Sequence, residues 1–377
     1  MNLAKFLGNP YNYIFIGFCI VALVQIFYYL YFFSRLAFFK IKPPDKSQTQ
    51  PVSVIICAKN EAENLANFLP GSLVQKYSTT HEVILVNDNS TDESKYILEE
   101  YQKTFKQLQI VELKQEAALI PGKKFPLSVG IKTAKYEVVL LTDADCVPAS
   151  ENWIEKMQEC FAGGKEIVLG YSPFQKKKGI LNKIIRWEGF HTAMQYLSFA
   201  KAGIPYMGVG RNLSYKKTIF FRHKGFSAFN NLPGGDDDLF INRAATKDNV
   251  AISIDPETFT ITRPASTFNQ WKRQKQRHYS TSRYYKTKHK FLLGLYAFTS
   301  FLFYPLLIAS FLFFDWKFVL SAFFLKTIIQ YFIVYKCEAK LKEKDLAPFT
   351  FLFDLWMFAY YLIFAGSLIR RPRKVWK

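Results

Sequence analysis

Residues Tyr11 to Phe33, YNYIFIGFCIVALVQIFYYLYFF, run for 23 positions without a charged side chain. At about 1.5 Å per residue such a run crosses a hydrocarbon layer of about 30 Å as a helix. In lipid every backbone N–H and C=O must be paired inside its own segment, so helix is the form such a run can take there. The sequence has no basic n-region beyond Lys5 and no small-residue cleavage site, so the segment is expected to stay on the protein as an anchor.

Three more apolar runs follow at the far end. Phe291 to Phe314 and Phe318 to Tyr335 are separated by Asp315, Trp316 and Lys317, which predicts a tight transmembrane hairpin over 290–337. Ala347 to Ile369 is the third, a transmembrane or interfacial helix interrupted by Asp354. Basic residues flank these runs: Arg35, Lys40 and Lys42 after the first, Lys286, Lys288 and Lys290 before the second, and Lys336, Lys340, Lys342 and Lys344 after the third. By the positive-inside rule all of these face the cytoplasm, and the domain over 50–285 lies there with them. The tail RRPRKVWK would then sit outside if the last run spans, against the same rule.

The net charge of +20 is concentrated beside the apolar runs and between Trp271 and Lys290. Anionic lipid headgroups and phosphate-bearing ligands are the partners this distribution suits. No nucleic-acid-binding motif is present, and no nucleic-acid partner is expected. The five cysteines form no CxxC pair and no metal-ligand spacing, so reduced, structural thiols are expected.

Between the apolar ends the pattern alternates. PVSVIICA, HEVILVND, LQIVEL, YEVVLLTD and KEIVLGYS read as strands; EAENLANFLPGSLVQK and STDESKYILEEYQ read as helices. Near-continuous apolar strands separated by helices predict a mostly parallel sheet covered on both faces. In such sheets ligands collect at the carboxyl ends of the strands. Asn60 and Glu61 follow the first strand, Asp88 the second, and Asp143 and Asp145 the fourth. Asn60, Glu61 and the run NDNSTD at 87–92 also have an ordinary reading as helix caps and turns. The DAD run is harder to explain that way. In extended backbone positions i and i+2 project to one side, so its two carboxylates would meet at one spot. A divalent cation relieves that repulsion, and oxygen ligands of this kind suit Mg²⁺ or Mn²⁺ completed by phosphate.

A first strand ending in KNE, a second in ND, DxD at the tip of a later strand and a downstream acidic cluster together resemble the family 2 glycosyltransferases of GT-A fold, from about Pro51 to His278. The resemblance implies a nucleotide-sugar donor, uridine diphosphate in most members, and a diphosphate gripped by metal. On it, Ala58, Asn60, Glu61 and Asp88 would hold the nucleotide. Asp143 would lie by ribose and metal, Asp145 would ligate the metal, and Lys123 of the Gly122-Lys123 pair would meet phosphate. GVGRNLSY resembles a Gly-Arg-Asn-x-Ser-Tyr segment that puts Arg211 and Asn212 against the donor sugar. GGDDDLF, about ninety residues beyond DxD, supplies the acidic residue before an Asp-Leu pair, with Asp236 as first choice for the catalytic base and Asp237 as second. QKQRH resembles the Gln-x-x-Arg-Trp motif of membrane-bound members. It makes Gln274 a donor contact and Arg277 the cation that helps the leaving group, and His278 replaces the indole. The stretches 176–200 and 266–285 are expected as interfacial helices, with core packing the commoner explanation for the apolar stripe of the first.

The resulting expectation is an inverting, metal-dependent transfer of a sugar to a lipid or glycan acceptor at the cytoplasmic face of the plasma membrane, in envelope glycolipid or polysaccharide synthesis. A processive polysaccharide synthase is the alternative. A nucleotidyltransferase would release pyrophosphate instead of a nucleoside diphosphate. A non-catalytic nucleotide-binding membrane protein is a further class, and spans nearly free of charge count against a transporter.

Overall fold

The structure, a computed structural model, describes residues 11–41, 49–114 and 120–366. The chain divides into two compact units, one built from the N-terminal segment up to Phe39 together with residues from Lys286 on, the other from Lys40–Tyr285. The first unit opens with helix α1 (Asn12–Ala37), whose turn Tyr28–Phe33 is a π-helix.

The second unit is the α/β domain. Its strands are β1 (Val52–Ala58), β2 (His81–Asn87), β3 (Leu108–Glu112), β4 (Val138–Asp143), β5 (Cys146–Pro148), β6 (Ile167–Leu169), β7 (Leu213–Lys216), β8 (Val250–Ile252) and β9 (Thr260–Thr262). Its helices are α2 (Ala62–Leu73), α3 (Ser94–Thr104), α4 (Lys124–Thr133), α5 (Trp153–Glu159), α6 (Ile180–Lys201), α7 (Lys217–Arg222), α8 (Asp238–Ala244) and α9 (Phe268–Ser282). Seven strands form one sheet in the order β3-β2-β1-β4-β7-β6-β8. β3, β2, β1 and β4 run parallel, and β7 runs antiparallel to both β4 and β6.

All seven residues of β1 are buried, as covering on both faces requires of a run rich in Val and Ile. Leu65, Leu69 and Leu73 recur at four-residue spacing on α2 and close one face over the core. Register then sets the site. Ala58 pairs with Asn87 and Cys57 with Asp143, so the tips of β1, β2 and β4 end level with one another.

One expectation needs correction here. β4 ends at Asp143 and the chain turns at Ala144 and Asp145, so strand pleat does not align the two carboxylates. The turn is pinned from behind. β5 begins at Cys146, pairs with β9, and the Arg263 N–H donates to the Asp145 carbonyl at 3.1 Å. α6 carries an apolar stripe that core packing explains more commonly than membrane contact does. It is buried on most faces from Ile185 onward, with the Tyr196 hydroxyl donating to the Gly170 carbonyl at 2.6 Å.

The first unit continues with α10 (Thr287–Phe313), α11 (Trp316–Lys340) and α12 (Thr350–Ala365), the last preceded by a 3₁₀ turn at Lys344–Phe349. With α1, and with that 3₁₀ turn counted into the last helix, these are four helices long and apolar enough to cross a membrane. Asp315 caps α11 by accepting from the Lys317 N–H at 2.9 Å, which closes the expected hairpin. Lys5, Lys42 and the tail over 370–377 lie outside the described residues.

The polarity of this unit is inverted relative to a water-soluble bundle. Ile20, Leu23, Ile308, Leu312 and Ile328 face outward, while Gln25, Lys326 and Gln330 are buried. Gln25 donates to Thr299 Oγ1 at 2.6 Å, tying α1 to α10. Asp354 accepts from Lys326 at 3.0 Å, Gln330 at 2.7 Å and Tyr304 at 2.7 Å. The expected spans nearly free of charge therefore contain a buried ion pair, and the carboxylate that interrupts the last run is matched by a lysine one helix away. Polar side chains facing a bundle interior and pairing there are what a lipid surround imposes.

Candidate active site

The first wall consists of the loops after β1 and β2. Asn60 adopts φ +54°, and its side-chain carbonyl accepts from the Thr91 N–H at 2.8 Å and the Thr91 hydroxyl at 3.3 Å. Asp92 accepts from the Ala62 N–H at 3.0 Å and from its own Ser94 N–H at 3.1 Å, so one carboxylate caps both α2 and α3. Much of NDNSTD therefore builds the wall. Asp88 is buried with Lys59 Nζ 3.9 Å away, and Glu61 accepts from Asn64 at 2.5 Å. Ala58 has no exposed surface, and its carbonyl accepts the Asp88 N–H at 2.8 Å.

Asp92 was not singled out as a functional position, and its double cap makes it a test of this wall. Burial would raise its pKa, but the bonds from Ser94 and from the Ala62 N–H outweigh that and lower it. A carboxyl lowered in the folded state contributes stability above its unfolded pKa of about 3.9 and loses it as pH falls through the folded value. Asp92→Ala is expected to cost about 1–3 kcal/mol at pH 7, read as a drop in thermal midpoint. The difference from wild type should shrink below about pH 4.

The stretch PGKKFP places three residues with separate tasks. Gly122 has φ +82°, and a Cβ there would lie 2.2 Å from the Pro233 carbonyl oxygen, so only glycine fits. Lys123 pairs with Asp143 through Nζ and Oδ1. Burial alone would lower the Lys123 pKa, but Asp143, Cys57 and Asp236 outweigh it and raise it, so the ammonium stays charged.

Burial pushes the Asp143 carboxyl up, yet the charges of Lys123, Arg211 and Arg277 hold it below its usual value. Asp145 goes the other way. Burial first, then the Asp143 charge, raise it against the pull of Arg211 and a bond from Cys146 Sγ at 3.3 Å. Arg211 lies over the Phe174 ring at 4.6 Å, and its Nη1 is buried without a hydrogen-bond partner among the described residues. An orphaned guanidinium donor beside two carboxylates leaves room for an anion and a cation together. No three His, Cys, Asp or Glu side chains among the described residues form a closed metal site. The two carboxylates fit Mg²⁺ or Mn²⁺ on condition that diphosphate oxygens complete the shell.

Asn212 departs from expectation. It is 0% exposed, its amide donates to the Tyr171 and Thr258 carbonyls at 2.7 Å each, and its oxygen accepts from Trp153 Nε1 at 3.2 Å. The side chain is engaged inside the fold.

The three aspartates of GGDDDLF separate cleanly. Asp237 caps α8 by accepting from the Asp238 N–H at 2.7 Å and holds the Gly210 N–H at 2.9 Å. Burial and the neighbouring charges of Asp236 and Asp238 push its pKa up to about 8. Asp238 is buried and accepts from the Thr281 and Tyr285 hydroxyls, the latter at 2.8 Å, which fastens α8 to the end of α9. The Asp236 carboxylate accepts no hydrogen bond among the described residues and lies beside Gly210, where an added Cβ would be 3.9 Å from its Oδ2. Its charge acts on Lys123, the partner of Asp143.

α9 carries the QKQRH run. Thr267 and Gln270 form a capping box at its start. Lys275 makes a buried ion pair with Glu188 of α6. Gln274 is half-buried on the same helix, and the Arg277 charge reaches Asp143. His278 lies on the same helix, where burial first and then the charges of Lys275, Arg277 and Arg211 lower its pKa. Arg277, Arg211, Lys123, Asp143 and Asp236 thus interact across one site built from five separate stretches of sequence.

Residues 53–230 match the sequence model of the family described as Glycosyl transferase family 2. Among curated relatives, a poly-beta-1,6-N-acetyl-D-glucosamine synthase of Staphylococcus epidermidis is 30% identical over 154 residues, which are 40% of this chain and 35% of that protein. The glycosyltransferase AglE of Haloferax volcanii is 30% identical over 131 residues, 34% of this chain and 41% of its own length. The chain thus matches well under half the length of each. The solved mannosyltransferase PcManGT of Pyrobaculum calidifontis, in complex with GDP-Man and Mn²⁺, superposes with a TM-score of 0.58 at 18% identity, covering 90% of this chain and 99% of that one. The α/β unit therefore has the GT-A type of fold, and its residues 53–230 are similar to the model of Glycosyl transferase family 2.

Proposed function

We propose that the protein is a membrane-bound, inverting glycosyltransferase that moves a sugar from a nucleotide sugar, a uridine diphosphate sugar in the first instance, to a lipid or glycan acceptor. The four apolar helices support a membrane location, with the α/β unit on the cytoplasmic side. The observation that carries the reading is the division of charge in the site. Asp143, Asp145, Lys123 and Arg211 form a half suited to diphosphate, and Asp236 stands beside it with its carboxylate unengaged.

In this reading the walls at Glu61 and Asp88 take the nucleotide. Asp143 and Asp145 hold Mg²⁺ or Mn²⁺, which when bound neutralises charge on the diphosphate. Arg211 and Lys123 donate to phosphate oxygens, and Arg277 adds positive charge beside them. Asp236 takes the proton of the acceptor hydroxyl as its oxygen bonds to the anomeric carbon from the face opposite the diphosphate. The bond to the diphosphate breaks with its electron pair, and the nucleoside diphosphate leaves. Gln274 and His278 sit on the helix that closes this side.

A processive polymer synthase is the second reading, favoured by the name of the Staphylococcus relative. The test incubates detergent-purified protein with UDP-, GDP- and dTDP-sugars and Mn²⁺ or Mg²⁺. Nucleoside diphosphate release is expected, falling at least about 100-fold on chelation or in Asp145→Asn. Product length on an added acceptor separates single transfer from polymerisation.

A further inference from the structure

We propose that Lys124 is a positioning residue for the transfer step, its ammonium group gathering the carbonyls of Pro121, Leu232 and Gly234 to fix the turn that delivers Asp236. This rests on the reading of Asp236 as base.

Lys124 is 1% exposed. Lysine is almost never buried so completely unless it is paired, yet no carboxylate forms a salt bridge with it among the described residues. Its Nζ donates instead to three carbonyls: Pro121 at 3.3 Å, Gly234 at 3.1 Å and Leu232. An ammonium group has three N–H donors and no acceptor, so donors and acceptors match in number. Burial lowers its pKa, and the charges of Asp236 and Asp238 oppose that.

The turn it holds is tight. Gly235 adopts φ +100°, and Gly122, on the same side as Lys124, is open to the Pro233 carbonyl because it lacks a Cβ. Two consecutive lysines thus divide their work at the start of α4. Lys123 meets the carboxylate of the diphosphate half, and Lys124 holds the backbone that precedes the base. Glutamine could supply two of the three donors, and methionine keeps the stem but supplies none.

The full chain in detergent is compared as wild type, Lys124→Met, Lys124→Gln and Asp236→Asn, using the UDP-sugar that turns over with Mn²⁺, and UDP alone as binding probe. Lys124→Met is expected to lower kcat about 10- to 100-fold with donor KM and UDP affinity within about threefold, and Lys124→Gln to fall between. Deuterium exchange at the amides of 234–236 is expected to rise at least about tenfold in Lys124→Met. Wild-type kcat in Lys124→Met, unchanged exchange, or kcat and UDP affinity lost in step would each overturn the tether. If Lys124→Met does not fold, Lys124→Gln carries the same comparison. Wild-type turnover in Asp236→Asn would instead strike the reading beneath it, whereas loss there with wild-type turnover in Lys124→Met removes the tether alone.

Discussion

Asp236→Asn is expected to reduce sugar transfer by about 10²- to 10⁴-fold while nucleotide affinity stays within about threefold. The resemblance puts Asp236 first among three adjacent aspartates, and the two that follow it are already engaged elsewhere. Asp237 caps α8 and holds Gly210, and Asp238 anchors the end of α9. Those two are committed to backbone and packing, so Asp237→Asn and Asp238→Asn should act mainly through stability, with lowered thermal midpoints. The distinguishing pattern is a kcat loss in Asp236→Asn with an unchanged midpoint. A wild-type rate there would remove Asp236 from the chemistry.

The other large effect is expected in the helical unit. Lys326→Met alone should destabilise the protein by about 3–5 kcal/mol, because Asp354 would keep its burial and lose its counter-charge. Tyr304 and Gln330 would still donate, which moderates the loss. Replacing both partners by apolar residues, Lys326→Met with Asp354→Leu, should recover most of it, since removing two matched charges leaves no orphan. Thermal unfolding of wild type, Lys326→Met, Asp354→Leu and the double variant in one detergent measures the coupling. Equal, additive losses would show that the pair is not a unit.

Much of this was legible in the sequence because its signals are local. Apolar runs gave the four helices, and β1 to β4 follow from Val- and Ile-rich segments that a parallel sheet buries on both faces. The strands that escaped notice, β5, β7, β8 and β9, are three or four residues long and pair with segments far away in the chain. Non-local pairing leaves no periodicity to read. For the same reason the DAD geometry was misread: the turn at Ala144 depends on β9, more than a hundred residues later.

Residue types pointed to the candidate site, but the assignment of side chains depended on partners. Asn212 belongs to a motif that suggests ligand contact, yet Trp153, Tyr171 and Thr258 consume its amide. Asp92 was read with its neighbours as cap and turn chemistry and Lys124 drew no reading, and the work of both appears only when Ala62, Leu232 and Gly234 are brought to them. Asp354 looked like an interruption because its match, Lys326, lies on another helix.

The central claim is that one half of the site grips a nucleotide diphosphate and the other deprotonates an acceptor. It is tested most directly by identifying the nucleotide product when purified protein is given nucleotide sugars, divalent metal and membrane lipid extract. Release of a nucleoside diphosphate that disappears in Asp236→Asn is the predicted result. Release of pyrophosphate, or no release from any donor, would contradict it.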